Sequence, residues 1–180
     1  MGFHHVAFAT RDTAATHRFY TEAMGFDLVK VVTAPTDHPG GWAKHLFYDT
    51  GGNGLIAFWE LHDERVPDDF DPAISTGMGL PVWVNHVAFH AELAELVDRR
   101  ERWRDQGYDV LEVDHEFCVS IYTVDPNGIL VEWCADARAL TAGERERAHA
   151  VVHDPAPSLE EAPTPVFHRA HERSSHTSVR

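Results

Sequence analysis

The chain has 180 residues, 43% apolar and 24% charged, with a formal net charge of −14 at pH 7. That length suits one domain, or one domain plus a tail, and is enough to bury a core without disulfide staples. The acidic balance argues against a nucleic-acid partner, because such a surface repels phosphate backbones, and no apolar run approaches the roughly 20 residues of a membrane span.

From the N-terminus, His5-Val6-Ala7-Phe8 alternates as a short strand. A helix follows, with Asp12 as N-cap and Ala15, Phe19 and Ala23 at i, i+4, i+8; Gly25 is a natural stop. The chain resumes as Gly25-Phe26-Asp27-Leu28-Val29, passes a Pro/Gly-containing insertion at Thr33–Gly41, turns at Asn53-Gly54 and closes with an apolar strand, Leu55 to Glu60. Residues 61–81, rich in Asp, Pro and Gly, read as a linker. The pattern then repeats. His86-Val87-Ala88-Phe89 is followed by a helix carrying Leu93, Leu96, Val97, Arg100 and Trp103, by Gly107-Tyr108-Asp109-Val110-Leu111, and by Asp125-Pro126-Asn127-Gly128 before a last strand, Ile129 to Trp133. The region Asp136 to about Val152 has a helical composition. Beyond Pro155 no periodicity survives, and a disordered or loosely lying tail is expected.

Each half therefore reads strand, helix, three strands. One such unit leaves a sheet face bare, whereas two can cover each other. The expected fold is α+β: two βαβββ modules, about 3–60 and 82–135, forming a curved mixed sheet with a metal-binding cleft, followed by the tail from residue 136.

His5 and His86 occupy the same position in the two copies, and Glu132 is a carboxylate inside an apolar strand, where it needs a partner or a metal. A lone strand histidine is more often a hydrogen-bonded core residue; two at equivalent positions with such a Glu form the 2-His-1-carboxylate set that leaves sites open for substrate and O2. His4 competes with His5, but strand alternation sends it to the other face. Glu60 is a fourth ligand only if a bulge shifts the register, since matching Asn53-Gly54 to Asn127-Gly128 puts Phe58 opposite Glu132. The total of 14 histidines adds little, because five lie in the tail.

The duplicated HVAF strands and the closing Glu132 resemble the vicinal oxygen chelate superfamily, which includes glyoxalase I, fosfomycin- and bleomycin-resistance proteins and type I extradiol dioxygenases. The stretch His115…Ile121-Tyr122…Asp125-Pro126-Asn127-Gly128…Glu132 is most similar to the extradiol signature. That resemblance implies that His115 and Tyr122 line the pocket and hydrogen-bond the bound catecholate; a loop histidine and a packed sheet tyrosine are the alternatives. The family's further acid–base histidine has no clear match, and His45 sits one strand too early.

These readings lead to an Fe(II)-dependent dioxygenase for a small aromatic or other vicinal-oxygen substrate. One rival is a glyoxalase- or epimerase-type isomerase or lyase using Mn(II), Zn(II), Ni(II) or Co(II), with Glu60 in the shell. Another is a non-catalytic resistance protein with Trp42, Trp59 and Trp83 as aromatic walls. Paired modules form within one chain or between two, so a homodimer stays open. Two cysteines without disulfide spacing, and an N-terminus without a basic-then-apolar leader, lead to an expected cytoplasmic location without a membrane partner.

Overall fold

His5–Thr10 forms strand β1 of the computed structural model, which describes residues 3–52 and 54–172. The Asn53 half of the expected Asn53-Gly54 turn lies outside the described residues. Helix α1 (Thr13–Arg18) starts where the Asp12 carboxylate accepts the Ala15 N–H at 2.8 Å. It runs on into a π-helical turn, Phe19–Ala23, closed by Met24 N–H donating to the Phe19 carbonyl at 2.9 Å. The wide turn buries the adjacent Phe19 and Tyr20 together. Strands β2 (Asp27–Pro35), β3 (Trp42–Asp49) and β4 (Leu55–His62) complete the first module, with sheet order β1-β4-β3-β2 and β1 parallel to β4.

The second module repeats the plan: β5 (His86–His90), α2 (Leu96–Asp105), β6 (Val110–Asp114), β7 (Cys118–Val124) and β8 (Leu130–Asp136). The duplicated α+β architecture expected from the repeat is present. The modules keep separate sheets, however. The second has five strands, because the tail is not all loose: after helix α3 (Ala142–Val151), Val166–His168 forms β9 and pairs antiparallel with β6. The tail strand thereby occupies a β6 edge that would otherwise expose unpaired backbone groups. Among the described residues no helix is long and apolar enough to cross a membrane.

One core serves both modules, on the helix-facing sides of the sheets. Ile56, Phe58 and Tyr48 come from the first sheet, Ile121, Val131 and Trp133 from the second, and Phe19, Tyr20, Met24 and Trp103 from the helical segments. Aromatic edges lock the join: Phe19 on Tyr108 at 4.9 Å, and Phe26 on Phe89 at 5.0 Å and on Trp133 at 5.8 Å. A buried polar cluster pins the same seam. The Tyr20 hydroxyl donates to Asp125 Oδ2 at 3.0 Å, and Asn127 Nδ2 donates to Asp125 Oδ2 at 2.9 Å and to Thr16 Oγ1 at 3.1 Å. The Asn127 and Ile129 N–H groups satisfy Asp125 Oδ1. Burial pushes the Asp125 carboxyl up despite these donors and pushes the Tyr20 phenol well above its usual range. The sequence reads Asp125–Gly128 only as a turn; it is also the fastener between modules.

With the core on the helix side, alternation turns the other face of each sheet outward. His5 and Ala7 on β1, and His86, Ala88 and His90 on β5, are all exposed. Replacing Tyr20 by Phe leaves Asp125 one donor short in a buried setting, so urea unfolding should show a loss of about 1–3 kcal/mol.

Candidate functional site

Strand register assembles the site. In the second sheet Ala88 pairs with Glu132 and Tyr122 lies opposite Glu132, so His86, Glu132 and Tyr122 share the outward face. Glu132 is only 5% exposed, and its Oε2 lies 3.1 Å from His86 Nε2. The other ring nitrogen, His86 Nδ1, lies 3.1 Å from the Trp83 carbonyl, which can only accept. Nδ1 therefore carries a proton, and Nε2 faces a carboxylate. Nε2 and the carboxylate oxygen are both satisfied by one proton shared between them or by a metal ion between them. Two ligand atoms each about 2.1 Å from one ion and at right angles to it lie about 3.0 Å apart, so the spacing suits a divalent metal.

His115 follows β6 directly, and Glu116 after it has φ of 70°, the one positive value outside glycine among the described residues. That left-handed residue, steadied by its N–H on Asp114 Oδ1 at 2.8 Å, bends the chain. The bend answers the alternation problem, since residues seven apart on a straight strand face opposite sides. His115 Nε2 meets the Tyr122 hydroxyl at 3.0 Å. Burial, and then the Glu132 charge, push the Tyr122 phenol far above its usual range, so it keeps its proton at neutral pH.

His5 stands apart from this group. On the outward face of the first sheet its ring lies 5.4 Å from Phe47 and 5.8 Å from His45, with Nδ1 2.8 Å from His4 Nδ1. His5 and His86 line one open hollow along the β1 and β5 edges. Among the described residues, however, no three His, Cys, Asp or Glu side chains lie close enough to hold a metal ion. The structure thus joins His86, Glu132, Tyr122 and His115, and leaves His5 on the other sheet.

His45, set aside in the sequence, joins His5 on that face. Its buried ring stacks on Trp59 at 3.7 Å, and Nε2 has no hydrogen-bond partner among the described residues. Burial, and then the His5 charge, hold it below the usual imidazole range. Its signal was the cross-strand pairing of His45 with Trp59, which depends on a register the sequence does not reveal.

The Phe58 alignment is corrected by the register. His5 pairs with Leu55 and His86 with Leu130, so Ala57 mirrors Glu132, while Phe58 mirrors Trp133 in the core. The first-module turn is one residue shorter relative to its strand, which shifts the Asn-Gly match by one. Glu60 consequently faces the helix side and is tied to Thr13 at 2.5 Å, to Lys44 at 3.0 Å and to His62 at 2.6 Å. Burial alone would raise its carboxyl, but hydrogen bonds from Thr13, His62 and Lys44 outweigh it and hold it at about 2.

A family model described as Glyoxalase/Bleomycin resistance protein/Dioxygenase superfamily matches residues 2–133. No curated protein matches. Among solved structures, the fosfomycin resistance protein FosX from Listeria monocytogenes aligns with a TM-score of 0.54 and 19% identity over 81% of this chain and 98% of its own. A glyoxylase/bleomycin resistance protein/dioxygenase domain from Frankia sp. EAN1pec aligns with a TM-score of 0.56 and 20% identity over 76% and 98%. For a putative dioxygenase from Bacillus subtilis the values are 0.56 and 19% over 75% and 40%. These likenesses show the shared fold.

Folding favours the ionised form of Glu60, so its contribution is complete above the usual 4.5 and falls away as pH drops toward about 2. Glu60→Gln should therefore lower stability by about 1–2 kcal/mol at pH 7, by less below pH 4.5, and leave metal content unchanged. Unfolding curves across pH, with elemental analysis, check both parts.

Proposed function

This chain belongs to the Glyoxalase/Bleomycin resistance protein/Dioxygenase superfamily, and on that premise we propose that it is a divalent-metal enzyme that cleaves small aromatic ortho-diols with O2. The observation that carries this reading is the hydrogen-bonded pair Tyr122–His115, set on the same face as, and next to, the His86–Glu132 contact. A protonated phenol beside a metal position is what a bound diolate oxygen requires.

His86 Nε2 and Glu132 Oε2 would hold the metal, with His5 as third ligand. Fe(II) suits O2 chemistry; the same nitrogen and oxygen donors accept Mn(II), Zn(II), Ni(II) or Co(II). When bound, the metal acidifies the diol hydroxyls and keeps the diol beside O2. His5 reaches this position from a second copy of the chain. The outward faces of both sheets are open, and placing the first sheet of one copy over the second sheet of another about a two-fold axis covers both and makes two equivalent sites. His45 then enters the same cleft beside His5.

The remaining steps belong to the chain's own groups. Tyr122 turns its O–H toward a diol oxygen and stabilises the charge that develops there. Its oxygen accepts from His115 Nε2–H, so the pair can relay a proton between the half-buried imidazole and the substrate. Glu132, shielded from water in its strand, stays fixed while charge shifts around it.

The isomerase plan loses its fourth ligand, since Ala57 stands at the mirrored position and Glu60 faces the helices. A resistance enzyme is the second reading. It is favoured by the FosX likeness, one structure of which holds Mn(II) and 1S,2S-dihydroxypropylphosphonic acid, a vicinal diol.

Protein purified without oxygen and loaded with Fe(II) should consume O2 with members of a catechol panel. Tyr122→Phe should cut turnover by about ten-fold or more and keep its iron, because only one hydrogen bond is lost. Absence of O2 uptake with every diol, together with Mn(II)-dependent loss of fosfomycin, would shift the assignment to the second reading.

A further inference from the structure

The tail strand β9 lies outside residues 2–133 that match the family, and it places one side chain on the site face. Leu111 pairs with Phe167 on one side and with Tyr122 on the other. Tyr122 in turn pairs with Glu132. Phe167, Leu111, Tyr122 and Glu132 therefore form one row across the sheet, all facing the open side. With strands about 4.8 Å apart, Phe167 stands about 10 Å from Tyr122 and about 14 Å from Glu132 along that row.

The strand is anchored more firmly than a three-residue edge strand needs. His168 Nε2 meets Glu112 Oε2 at 3.0 Å, Arg169 Nη1 meets Asp109 Oδ2 at 2.9 Å, and the Ala170 N–H donates to Asp109 Oδ1 at 2.8 Å. Arg104 Nε donates to the Arg169 carbonyl at 2.8 Å, and His171 N–H returns to the Arg104 carbonyl at 3.0 Å. Held this way, the Arg169 guanidinium sits 4.5 Å over the Phe167 ring, occupying one of its faces. Phe167 nevertheless remains 53% exposed. An aromatic ring that is fixed, stacked on one side and left open toward a site row is arranged for contact rather than for packing.

We propose that Phe167, with Leu111 beside it, is the far wall of the substrate cleft and selects diols that carry a bulky apolar substituent over bare catechol. This rests on the diol reading above. A ring bound next to Glu132 and Tyr122 leaves room for a second apolar group of about phenyl size before it meets the wall. That group would bury the open edge of Phe167.

The test compares catechol with 3-phenylcatechol on the Fe(II)-loaded protein and two variants. Phe167→Ala removes the wall. Val166→Ala loosens the same strand from its opposite face and serves as the structural control. Phe167→Ala should raise KM for 3-phenylcatechol by about five- to ten-fold while leaving KM for catechol and kcat near wild type, and Val166→Ala should change neither ratio. An unchanged KM ratio in Phe167→Ala, or an equal change in Val166→Ala, overturns the wall. A separate readout uses binding of 8-anilinonaphthalene-1-sulfonate, followed by fluorescence. If no diol is turned over, the dioxygenase reading fails; weaker probe binding in Phe167→Ala but not in Val166→Ala still supports the wall, and equal binding in all three proteins refutes it.

Discussion

The structure depends on the buried seam where the first module's helix meets the second module's sheet. Asp125 there takes hydrogen bonds from Tyr20, Asn127 and two backbone N–H groups, inside a ring of Phe19, Phe26, Phe89, Tyr108 and Trp133. A buried carboxylate is tolerable only when its oxygens are satisfied, and these donors come from both modules. The seam therefore fixes how the modules face. It commits their helix sides to one core and leaves the other face of each sheet outward, where the histidines are.

That choice of faces places the residues of the proposed site on two different sheets. Within one chain the second sheet brings His86 against Glu132 and Tyr122 against His115. The first sheet supplies His5 and the buried His45, whose Nε2 has no hydrogen-bond partner among the described residues. Each half has an open demand: Glu132 and His86 Nε2 need a proton or a metal ion between them, and a buried imidazole nitrogen without a partner costs about 1–3 kcal/mol. Bringing the two faces together between copies would relieve both. On the second sheet, burial, and then the Glu132 charge, hold the Tyr122 proton in place.

Much of this was legible from the repeat. HVAF twice, each time with a helix, a glycine stop and a closing strand, gives the modules, and the periodicity of β8 marks Glu132 as a carboxylate on an apolar strand. His115 and Tyr122 were readable as candidates from the signature they share; that they meet depends on the bend at Glu116, which the structure shows. Register was the part that sequence could not supply. Phe58 looked equivalent to Glu132 by its Asn-Gly turn, yet pairing with β1 puts Ala57 there, and a one-residue difference in a turn reverses which face a side chain takes. The tail strand was missed because three residues without periodicity carry no pattern of their own; only the bare β6 edge gives them a place. Module orientation was also out of reach, since helix 1 can cover its own sheet or bridge two, and the deciding contacts are long-range.

One metal site built from two copies is tested most directly by mixing two defective proteins. His5→Ala and Glu132→Ala should each fail to retain metal. Unfolded together and refolded, they should recover metal to about a quarter of the wild-type level, since random pairing makes half the dimers mixed and each mixed dimer has one intact site. If every site lay within one chain, the mixture would hold no more metal than either variant alone, and the shared site would be contradicted.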